Sequence, residues 1–451
     1  MTRLLQHRSW RLLCAIALAI GILNGCGGGG SDSSTSSASS ASSSASSSTG
    51  STSTTTTTSS SSSSSGTTST TTTSTASNAV AVTVGQGVGN GDFSNVVMTS
   101  VTICIPGTTN CQTIDNVMVD TGSSGLRLLA SKVSLGLSSV ATASGGTYSE
   151  CTEFADGVTW GKVVQADVEV GSETASGVSV QLLRDNGVGA SIPSSCSNLG
   201  SEEDTQNLLG ANGILGIGAF QQDCGSYCVS TADTYYYSCD TAGTSCTPST
   251  IPLASQVSNP VASFATDSNG VVLQLAAISD SGAASASGTL TFGIGTETNN
   301  TLAATPMFLD GTTGYFTASL NGQSMPDSFI DSGSSGLFFN DSQLTQCRSQ
   351  DYAGLYCPGS TSALSLLTLS PTVTDTTGTS TMVSVKVGNA QYLYTTNDGN
   401  NYAFDDIGVT TGSSLRGSFD FGVPFFFGKS VFTAIENKST PYGTGPYFAW
   451  Q

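Results

Sequence analysis

The chain has 451 residues and a formal net charge of −19 at pH 7, from 12 Lys and Arg against 31 Asp and Glu. So large an excess of acidic groups argues against nucleic acid as a partner. The one histidine, His7, lies in an N-terminal segment that we expect to be removed, which excludes Ser-His-Asp catalysis and metal sites with His ligands from the mature protein.

The first 26 residues are typical of an export signal. Three arginines accompany an apolar run, Leu12 to Leu23, that is too short to span a bilayer. The run ends in Leu-Asn-Gly-Cys, which resembles a bacterial lipobox. Residues 1–26 are therefore predicted to be a lipoprotein signal peptide with Cys26 as the lipidated residue; an ordinary signal peptide with a chance cysteine is the alternative. We expect an exported lipoprotein of the cell envelope, on the outer membrane if the source is Gram-negative.

Residues 27–78 are almost entirely Ser, Thr, Gly and Ala. They carry too few apolar side chains to offset the entropy of ordering, so this segment is predicted to be disordered. A flexible chain of this length has a root-mean-square span of about 40 Å. We interpret it as a tether between a membrane surface and a folded body.

The body, residues 79–451, is too long for a single hydrophobic core. Runs rich in β-branched residues, such as Val96 to Ile105, alternate with turns rich in Gly and Ser. Helical patterns are few: Ser342 to Cys347, and a short turn near Gln256 to Ala265. We predict an all-β fold with an N-terminal lobe at 79–265, which carries a Cys-rich insertion, and a C-terminal lobe at 266–451.

Ten cysteines lie in the body, and an even number favours disulfides in an exported protein. Close pairs such as Cys104 with Cys111 and Cys347 with Cys357 are placed to join hairpin strands or loops. The cluster from Cys224 to Cys246 has enough cysteines for two disulfides of undetermined connectivity. A four-cysteine zinc site in that cluster is the competing interpretation.

One short polar motif occurs twice in the body. Val117 to Leu129 is VMVDTGSSGLRLL, and Ser328 to Asn340 is SFIDSGSSGLFFN. Each motif is followed, at a similar distance, by a glycine between apolar residues, Gly216 in the first half and Gly422 in the second. The pattern predicts two copies of one architecture rather than a solenoid, whose repeat periods are much shorter.

Each motif places a single carboxylate, Asp120 or Asp331, at the end of an apolar strand. If the two halves pack about an approximate two-fold axis, the carboxylates face each other and share one proton, because like charges at short range do not both ionise readily. The aspartic proteases are the known example of this arrangement. The ionised partner takes a proton from water, and the protonated partner hydrogen-bonds a substrate carbonyl. The pattern therefore predicts amide hydrolysis without histidine or metal.

On these residues the body resembles the pepsin-like aspartic peptidases. The resemblance implies a bilobal β fold whose cleft holds an extended peptide or protein substrate, with Asp120 and Asp331 as the catalytic pair. It implies supporting roles for the hydroxyl residues and glycines of the two loops, which are Thr121, Gly122, Ser123, Ser332, Gly333 and Ser334. It implies no cofactor and no metal. More narrowly, the lipobox, the tether and the sequence VDTGSSGLRLLAS resemble an uncharacterised family of bacterial lipoproteins with a domain of unknown function.

Two positions depart from the pepsin-like pattern. The hairpin that covers the cleft usually carries a Tyr, and the equivalent segment here, Cys151 to Gly161, offers Phe154, which has no hydroxyl. Arg127 stands where an aromatic residue usually supports that Tyr. The predicted function is a membrane-tethered aspartic endopeptidase, and the alternative is a weakly active or inactive protein of the same fold that binds peptide or glycan. A structural or adhesive surface protein, in which the two Asp loops are ordinary turns, is a third interpretation.

Overall fold

The computed structural model describes residues 77–90, 93–184, 191–412 and 415–451. The predicted signal peptide, the lipidation site Cys26 and nearly all of the predicted tether lie outside these ranges. The described residues form mainly β-strands, which confirms the predicted all-β class. No helix within these ranges is long and apolar enough to cross a membrane.

The first half consists of strands joined by turns and short helices. Its strands are β1 Ala79–Gly85, β2 Val96–Cys104, β3 Cys111–Asp120, β4 Ser124–Leu129, β5 Ser138–Ser139, β6 Thr147–Glu153, β7 Val158–Val170, β8 Glu173–Leu183, β9 Gly213–Ile217, β10 Tyr236–Cys239 and β11 Cys246–Pro248. Its α-helices are α1 Ser194–Ser197, α2 Gln206–Leu209 and α3 Ser226–Ser230, and its 3₁₀ turns are Ala130–Lys132, Leu253–Ser255 and Pro260–Ser263.

The second half is built in the same way. Its strands are β12 Gly270–Leu275, β13 Ala286–Phe292, β14 Met307–Phe308, β15 Phe316–Leu320, β16 Gln323–Ile330, β17 Leu337–Phe338, β18 Leu366–Leu369, β19 Thr372–Thr374, β20 Ser380–Met382, β21 Val385–Gly388, β22 Gly408–Val409, β23 Asp420–Phe421, β24 Ser430–Ala434, β25 Ser439–Thr440, β26 Gly443–Thr444 and β27 Tyr447–Trp450. Its α-helix is α4 Ala390–Thr395, and its 3₁₀ turns are Thr298–Asn300, Gln350–Tyr352, Thr396–Gly399 and Val423–Phe425.

The two predicted helical segments have different outcomes. Near Gln256 to Ala265 the chain forms the 3₁₀ turn Pro260–Ser263, capped by Asn259, as predicted. Ser342 to Cys347 is not helical, so that prediction is wrong. A segment this short has little intrinsic helical stability. Its last residue, Cys347, is instead held by a disulfide to Cys357.

One large sheet contains strands from both halves. Its order is β11-β10-β6-β7-β8-β4-β9-β3-β2-β1-β13-β12-β24-β27-β14. Because β7 also pairs with β2, the strands from β7 to β2 in this order close on themselves. The N-terminal strand β1 connects the halves, since it pairs antiparallel with both β2 and β13.

The strands around the two Asp motifs pair in the same way. In the first half β3 lies parallel to β9, and β9 lies antiparallel to β4. In the second half β16 lies parallel to β23, and β23 lies antiparallel to β17. The latter three belong to a separate sheet of order β20-β19-β15-β16-β23-β17-β22. Each Asp motif thus connects two strands that flank a third, glycine-containing segment.

The largest cluster of buried apolar side chains draws on both halves and includes Val119 and Ile330, the residues before the two aspartates. Two of the smaller clusters draw their buried residues from one half each. The first-half cluster is Phe93, Val96, Met118, Leu129, Phe154, Leu183, Leu209, Ala211 and Ile214. The second-half cluster is Phe329, Phe338, Leu355, Cys357, Ala390, Leu393, Phe404, Ile407, Val409 and Leu415. The lobe boundary at 265/266 stays a prediction.

All ten cysteines of the body form disulfides, as predicted. The pairs are Cys104–Cys111, Cys151–Cys196, Cys224–Cys228, Cys239–Cys246 and Cys347–Cys357. The first pair joins directly opposite residues of the β2–β3 hairpin, and the fourth does the same for β10 and β11. The four cysteines considered for zinc are thus joined in two disulfides and offer no thiolate ligands.

Candidate active site

The two aspartates lie at equivalent points of the repeated strand pairing. Asp120 is the last residue of β3, and Asp331 directly follows β16. Each is preceded by buried apolar residues, which draw the strand end into the interior. As a result, both Asp120 and Asp331 are 0% exposed.

The loops that follow these strands are hydrogen-bonded to each other. Thr121 N donates to Ser332 Oγ at 3.1 Å, and Ser332 N donates to Thr121 Oγ1 at 2.9 Å. Each hydroxyl also donates to a carbonyl of the opposite half, from Ser332 to Val119 at 2.8 Å and from Thr121 to Ile330 at 3.4 Å. These reciprocal bonds hold the loops together, so neither loop is an isolated turn.

The loop glycines allow the two aspartates to meet. A Cβ atom at Gly122 would lie 2.5 Å from Asp331 Cγ, and one at Gly333 would lie 2.9 Å from Asp120 Cγ. A side chain at either glycine would therefore overlap the opposite aspartate. The two carboxyl groups lie near enough to shift each other's pKa, and a hydrogen bond between them requires that one of them carry a proton.

Asp120 accepts more hydrogen bonds from its own loop than Asp331 does. In both loops the backbone N–H two residues on donates to Oδ1 at 2.7 Å. In both, the hydroxyl three residues on donates to Oδ2, from Ser123 at 2.5 Å and from Ser334 at 2.9 Å. Asp120 receives a further bond from Ser123 N at 3.0 Å. Because such donors favour the ionised form, Asp120 is the better site for a negative charge.

The electrostatic surroundings point the same way. Burial raises the pKa of Asp120, and the hydrogen bond from Ser123 opposes that rise. Burial raises the pKa of Asp331 well above its usual range, and repulsion from Asp120 and Asp420 raises it further. When the pair shares one proton, the structure therefore favours Asp331 as its holder and Asp120 as the ionised partner.

A third buried carboxyl, Asp420, belongs to this site. It lies in β23 between Phe419 and Phe421, whose ring centroids are 4.1 Å apart. Burial raises the pKa of Asp420 well above its usual range, the Ser334 hydroxyl lowers it, and Asp120 raises it. Sequence reasoning treated this segment as an apolar stretch around a glycine and missed Asp420. The sequence feature that could have indicated it is an acidic residue between two aromatic residues, Phe419 and Phe421.

A buried ion-pair network lies on the first-half side. The Arg127 guanidinium donates to Glu150 at 2.7 Å and to Asp223 at 3.3 Å. The Tyr236 hydroxyl also donates to Asp223, at 2.7 Å. Burial alone would lower the pKa of Arg127, but Glu150 and Asp223 raise it, so the arginine stays charged. Arg127, one of the two positions that depart from the pepsin-like pattern, is thus buried and held by two acidic side chains.

Phe154, the predicted residue of the covering hairpin, lies at the turn between β6 and β7. Its side chain is buried in the first-half cluster beside Met118 and Ile214. The Arg127 guanidinium carbon is 5.9 Å from the centre of the Phe154 ring. The next residue, Ala155, packs against the second-half cluster, so the tip of the hairpin reaches from the first half to the second.

A second contact between the halves involves Ser94 and Asn95, and we call it the Asn95 bridge. Asn95 Nδ2 donates to Ser335 O at 2.8 Å and to Phe404 O at 2.9 Å, and Phe404 N donates to Asn95 Oδ1 at 2.8 Å. The Ser94 and Tyr394 hydroxyls lie 2.9 Å apart. The bridge therefore fastens the first half to the residue that follows Ser334.

A cavity of about 40 Å³ adjoins the two loops. Its lining includes Thr121, Gly122 and Ser123 from the first loop and Phe329 and Ile330 from the strand before Asp331. One water molecule needs a space of roughly 10 to 15 Å³. The cavity is therefore large enough for water and too small for a peptide.

Metal-binding side chains also come together at one place in the described part of the chain. Ligand atoms of Cys104, Cys111 and Glu169 lie within 4.8 Å of one another. The two cysteines are joined by a disulfide and carry no thiolate. This group therefore offers one carboxylate and is not a metal centre as it stands.

Comparison of the chain with curated proteins finds no significant match. A family model described as "Protein of unknown function (DUF3443)" matches residues 74–450, which is well over half of the chain. The matched region includes both Asp loops, Asp420 and all five disulfides. The chain therefore belongs to the DUF3443 family of proteins of unknown function.

Proposed function

We propose that this protein is an aspartic-type endopeptidase that hydrolyses extended peptides. The observation that carries the proposal is the pairing of Asp120 and Asp331, two fully buried carboxyls on interlocked loops whose glycines lie against the opposite aspartate. Acids held this closely titrate as a unit and retain one proton over a range of pH. Such a pair supplies a base and an acid at one place, which is what hydrolysis of an amide by water requires.

In the proposed reaction, ionised Asp120 takes a proton from a water molecule while the water oxygen attacks the peptide carbonyl carbon. Asp331 gives its proton to the carbonyl oxygen, so the tetrahedral intermediate is a neutral diol. The C–N bond then breaks: Asp120 returns its proton to the leaving nitrogen, and one diol hydroxyl gives its proton to Asp331. The additional hydrogen bond that Asp120 accepts supports its assignment as the base.

We further propose a pepsin-like arrangement of two lobes, 79–265 and 266–451, with the substrate in a cleft between them. Support comes from the strand pairing that recurs around Asp120 and Asp331. The β6–β7 hairpin is the proposed flap. In it, the contact between Arg127 and Phe154 replaces the contact between an aromatic residue and Tyr that the resemblance implies.

A second candidate function is the binding of peptide or glycan by the same fold with little or no cleavage. Two observations favour it: both aspartates have no exposed surface, and Phe154 lacks the hydroxyl of the usual Tyr. For either function, a peptide reaches the aspartates when the hairpin tip and the Asn95 bridge move apart from the second half.

We also propose that the protein is an exported lipoprotein, with lipid on Cys26 and residues 27–78 as the tether to a cell-envelope membrane. The support is the lipobox-like sequence and the composition of the tether. Labelling of the full chain with palmitate in its native host tests this, with Cys26→Ser as the control that loses the label.

The enzymatic proposal is tested by digesting a peptide library from acid to neutral pH with the wild type, Asp120→Asn and Asp331→Asn. We expect either substitution to lower kcat roughly 10²- to 10⁴-fold, the range that general acid–base groups contribute. Asp406→Asn is the matched control, because Asp406 is equally buried but its charged neighbours are Asp405, Asp280 and Lys386. Cleavage that survives Asp331→Asn rules out the mechanism, and the absence of cleavage at every pH favours the binding function.

A further inference from the structure

The Asn95 bridge contacts the loop that carries Asp331. Asn95 Nδ2 donates at 2.8 Å to the carbonyl oxygen of Ser335, the fourth residue after Asp331. Asp120 and Asp331 are both 0% exposed, and the cavity of about 40 Å³ beside their loops is too small for a peptide. No peptide reaches the Asp pair in this arrangement, and the Asn95 bridge is one of the contacts that hold the halves together.

Asn95 is bonded to the second half through its backbone N–H and through its whole side-chain amide. The N–H donates to Tyr402 O at 2.8 Å. The side chain donates to Phe404 O at 2.9 Å as well as to Ser335 O, and its Oδ1 accepts from Phe404 N at 2.8 Å. One amide thus satisfies both backbone groups of Phe404, as a residue of a neighbouring antiparallel strand does. Asn95 is 2% exposed, so water does not compete for these bonds in the closed form.

The bridge consists of two residues that project from the first half. Phe93 and Val96, on either side of Ser94 and Asn95, pack in the first-half cluster. Asn95 has a φ of 57°, a left-handed conformation that asparagine adopts more readily than most residues. Neither Asn95 nor Phe404 belongs to a strand. The bridge can therefore separate without breaking a strand pair in either half.

Asn269 makes the same set of side-chain bonds inside the second half. Its amide donates to Ile294 O and to Ser439 O, both at 3.1 Å, and its Oδ1 accepts from Ile294 N at 2.7 Å. It is buried as well. The two asparagines thus differ in what they connect rather than in the number or kind of their side-chain bonds. Asn269 is therefore a matched control for any role that depends on joining the halves.

We propose that the Asn95 bridge is an autoinhibitory contact: while Asn95 is bonded to Ser335 and Phe404, the halves stay closed around Asp120 and Asp331, and its release admits an extended peptide. An extended peptide carries backbone N–H and C=O groups of its own, so it can replace the Asn95 amide at Phe404. Control of peptide access rests on the proposed function. Control of solvent access does not, because water enters the open form whether or not the protein cleaves peptides.

The first test measures hydrogen exchange in the whole protein and needs no activity. The reporters are the backbone N–H groups of Thr121 and Ser332, which donate from one Asp loop to the other. Asn95→Gly keeps the left-handed backbone and removes only the side chain. We expect it to speed exchange of both reporters roughly tenfold or more, because three hydrogen bonds of the closed form are lost. Asn269→Ala should have little effect on them.

Two results of this exchange measurement would overturn the proposal. Unchanged exchange at Thr121 and Ser332 in Asn95→Gly would mean that the bridge does not control access to the loops. Equally faster exchange in Asn95→Gly and Asn269→Ala would mean that both variants only lower the overall stability.

The second test digests a library of random peptides with the full chain. Since a closed fraction lowers the apparent affinity for substrate, Asn95→Gly should raise kcat/KM roughly tenfold over the wild type, and Asn269→Ala should not. A wild-type or lower kcat/KM in Asn95→Gly would show that the bridge does not inhibit, which overturns the proposal. If neither the wild type nor Asn95→Gly cleaves any peptide, the peptidase function fails, and the exchange of Thr121 and Ser332 decides whether the bridge controls access.

Discussion

The two Asp loops share two local hydrogen bonds to the aspartate, but the strands beside them carry different charged residues. In the first half, β4 carries Arg127 opposite Ile214 of β9. In the second half, β17 carries Phe338 opposite Asp420 of β23. In the first half the ionisable side chain, Arg127, lies on the strand that follows the Asp loop. In the second half the ionisable side chain, Asp420, lies on the strand that pairs with the strand after the loop.

This difference shows two ways in which an ionisable side chain is accommodated in one protein interior. Arg127 has Glu150 and Asp223 within ion-pair distance and stays charged. Asp420 has acids rather than a cation as electrostatic neighbours in the described residues, and its pKa is raised well above the usual range. A buried group is thus either paired or neutral, and Arg127 and Asp420 each illustrate one of these solutions.

The largest effect is expected from Arg127→Leu. This change leaves Glu150 and Asp223 buried without their counterion, and breaking a buried pair in this way typically costs about 3 to 5 kcal/mol. Asp420→Leu leaves no counterion behind, so its effect on the free energy of unfolding should lie within about 1 kcal/mol. Chemical unfolding of both variants measures the difference. An equal loss of unfolding free energy in the two variants would contradict the view that Arg127 is paired and Asp420 is not.

The contact between the loops is tested by Gly122→Ala. Its Cβ would press on Asp331, and displacing the proposed catalytic groups by about 1 Å should lower the rate of peptide cleavage roughly 100-fold. Gly333→Ala should act in the same direction through Asp120. Gly136→Ala is the control, since a Cβ there meets nothing within 4 Å. Peptide cleavage by folded Gly122→Ala at the wild-type rate would contradict the geometry of the pair.

A smaller loss of stability is expected from Asn95→Ala. It removes three side-chain hydrogen bonds between the halves and leaves buried groups of Phe404 unpaired, at a cost of about 2 kcal/mol. The amide hydrogen of Phe404 should also exchange faster with solvent, because its acceptor is Asn95 Oδ1. Ser94→Ala, which removes one hydroxyl contact, is the milder control. Unchanged exchange at Phe404 would argue against the bridge.

The smallest effect is expected from Phe154→Tyr. The ring keeps its contact with Arg127, and the lining of a small adjoining cavity includes Asp156 and Glu203, whose carboxylates offer acceptors for the new hydroxyl. We expect a change in the free energy of unfolding below about 1 kcal/mol. Phe154→Leu, which loses the ring, should cost more. A larger loss of unfolding free energy for Phe154→Tyr than for Phe154→Leu would mean that the site has no room for a hydroxyl.

Much of the fold and part of the site followed from local patterns in the sequence. Strand β2 lies where a β-branched run predicted it, and Cys104 and Cys111 pair as their spacing indicated. The segment Ser342 to Cys347 failed because a weak helical preference yielded to a disulfide and to turn formation. Local preference decides an element when no stronger tertiary contact competes with it.

Asp120 and Asp331 were recognisable from the sequence because a doubled motif is a local feature that occurs twice. By itself, the sequence determined the β class, the even set of cysteines and the two carboxylate loops, since alternation, spacing and turn residues act over a few positions. Only the tertiary structure decided that the loops interlock, that Arg127 meets Glu150 and Asp223, and that Asp420 has acids as its electrostatic neighbours. These outcomes depend on which distant strands pair and on how far water is excluded from between them, and neither property belongs to a single stretch of the chain.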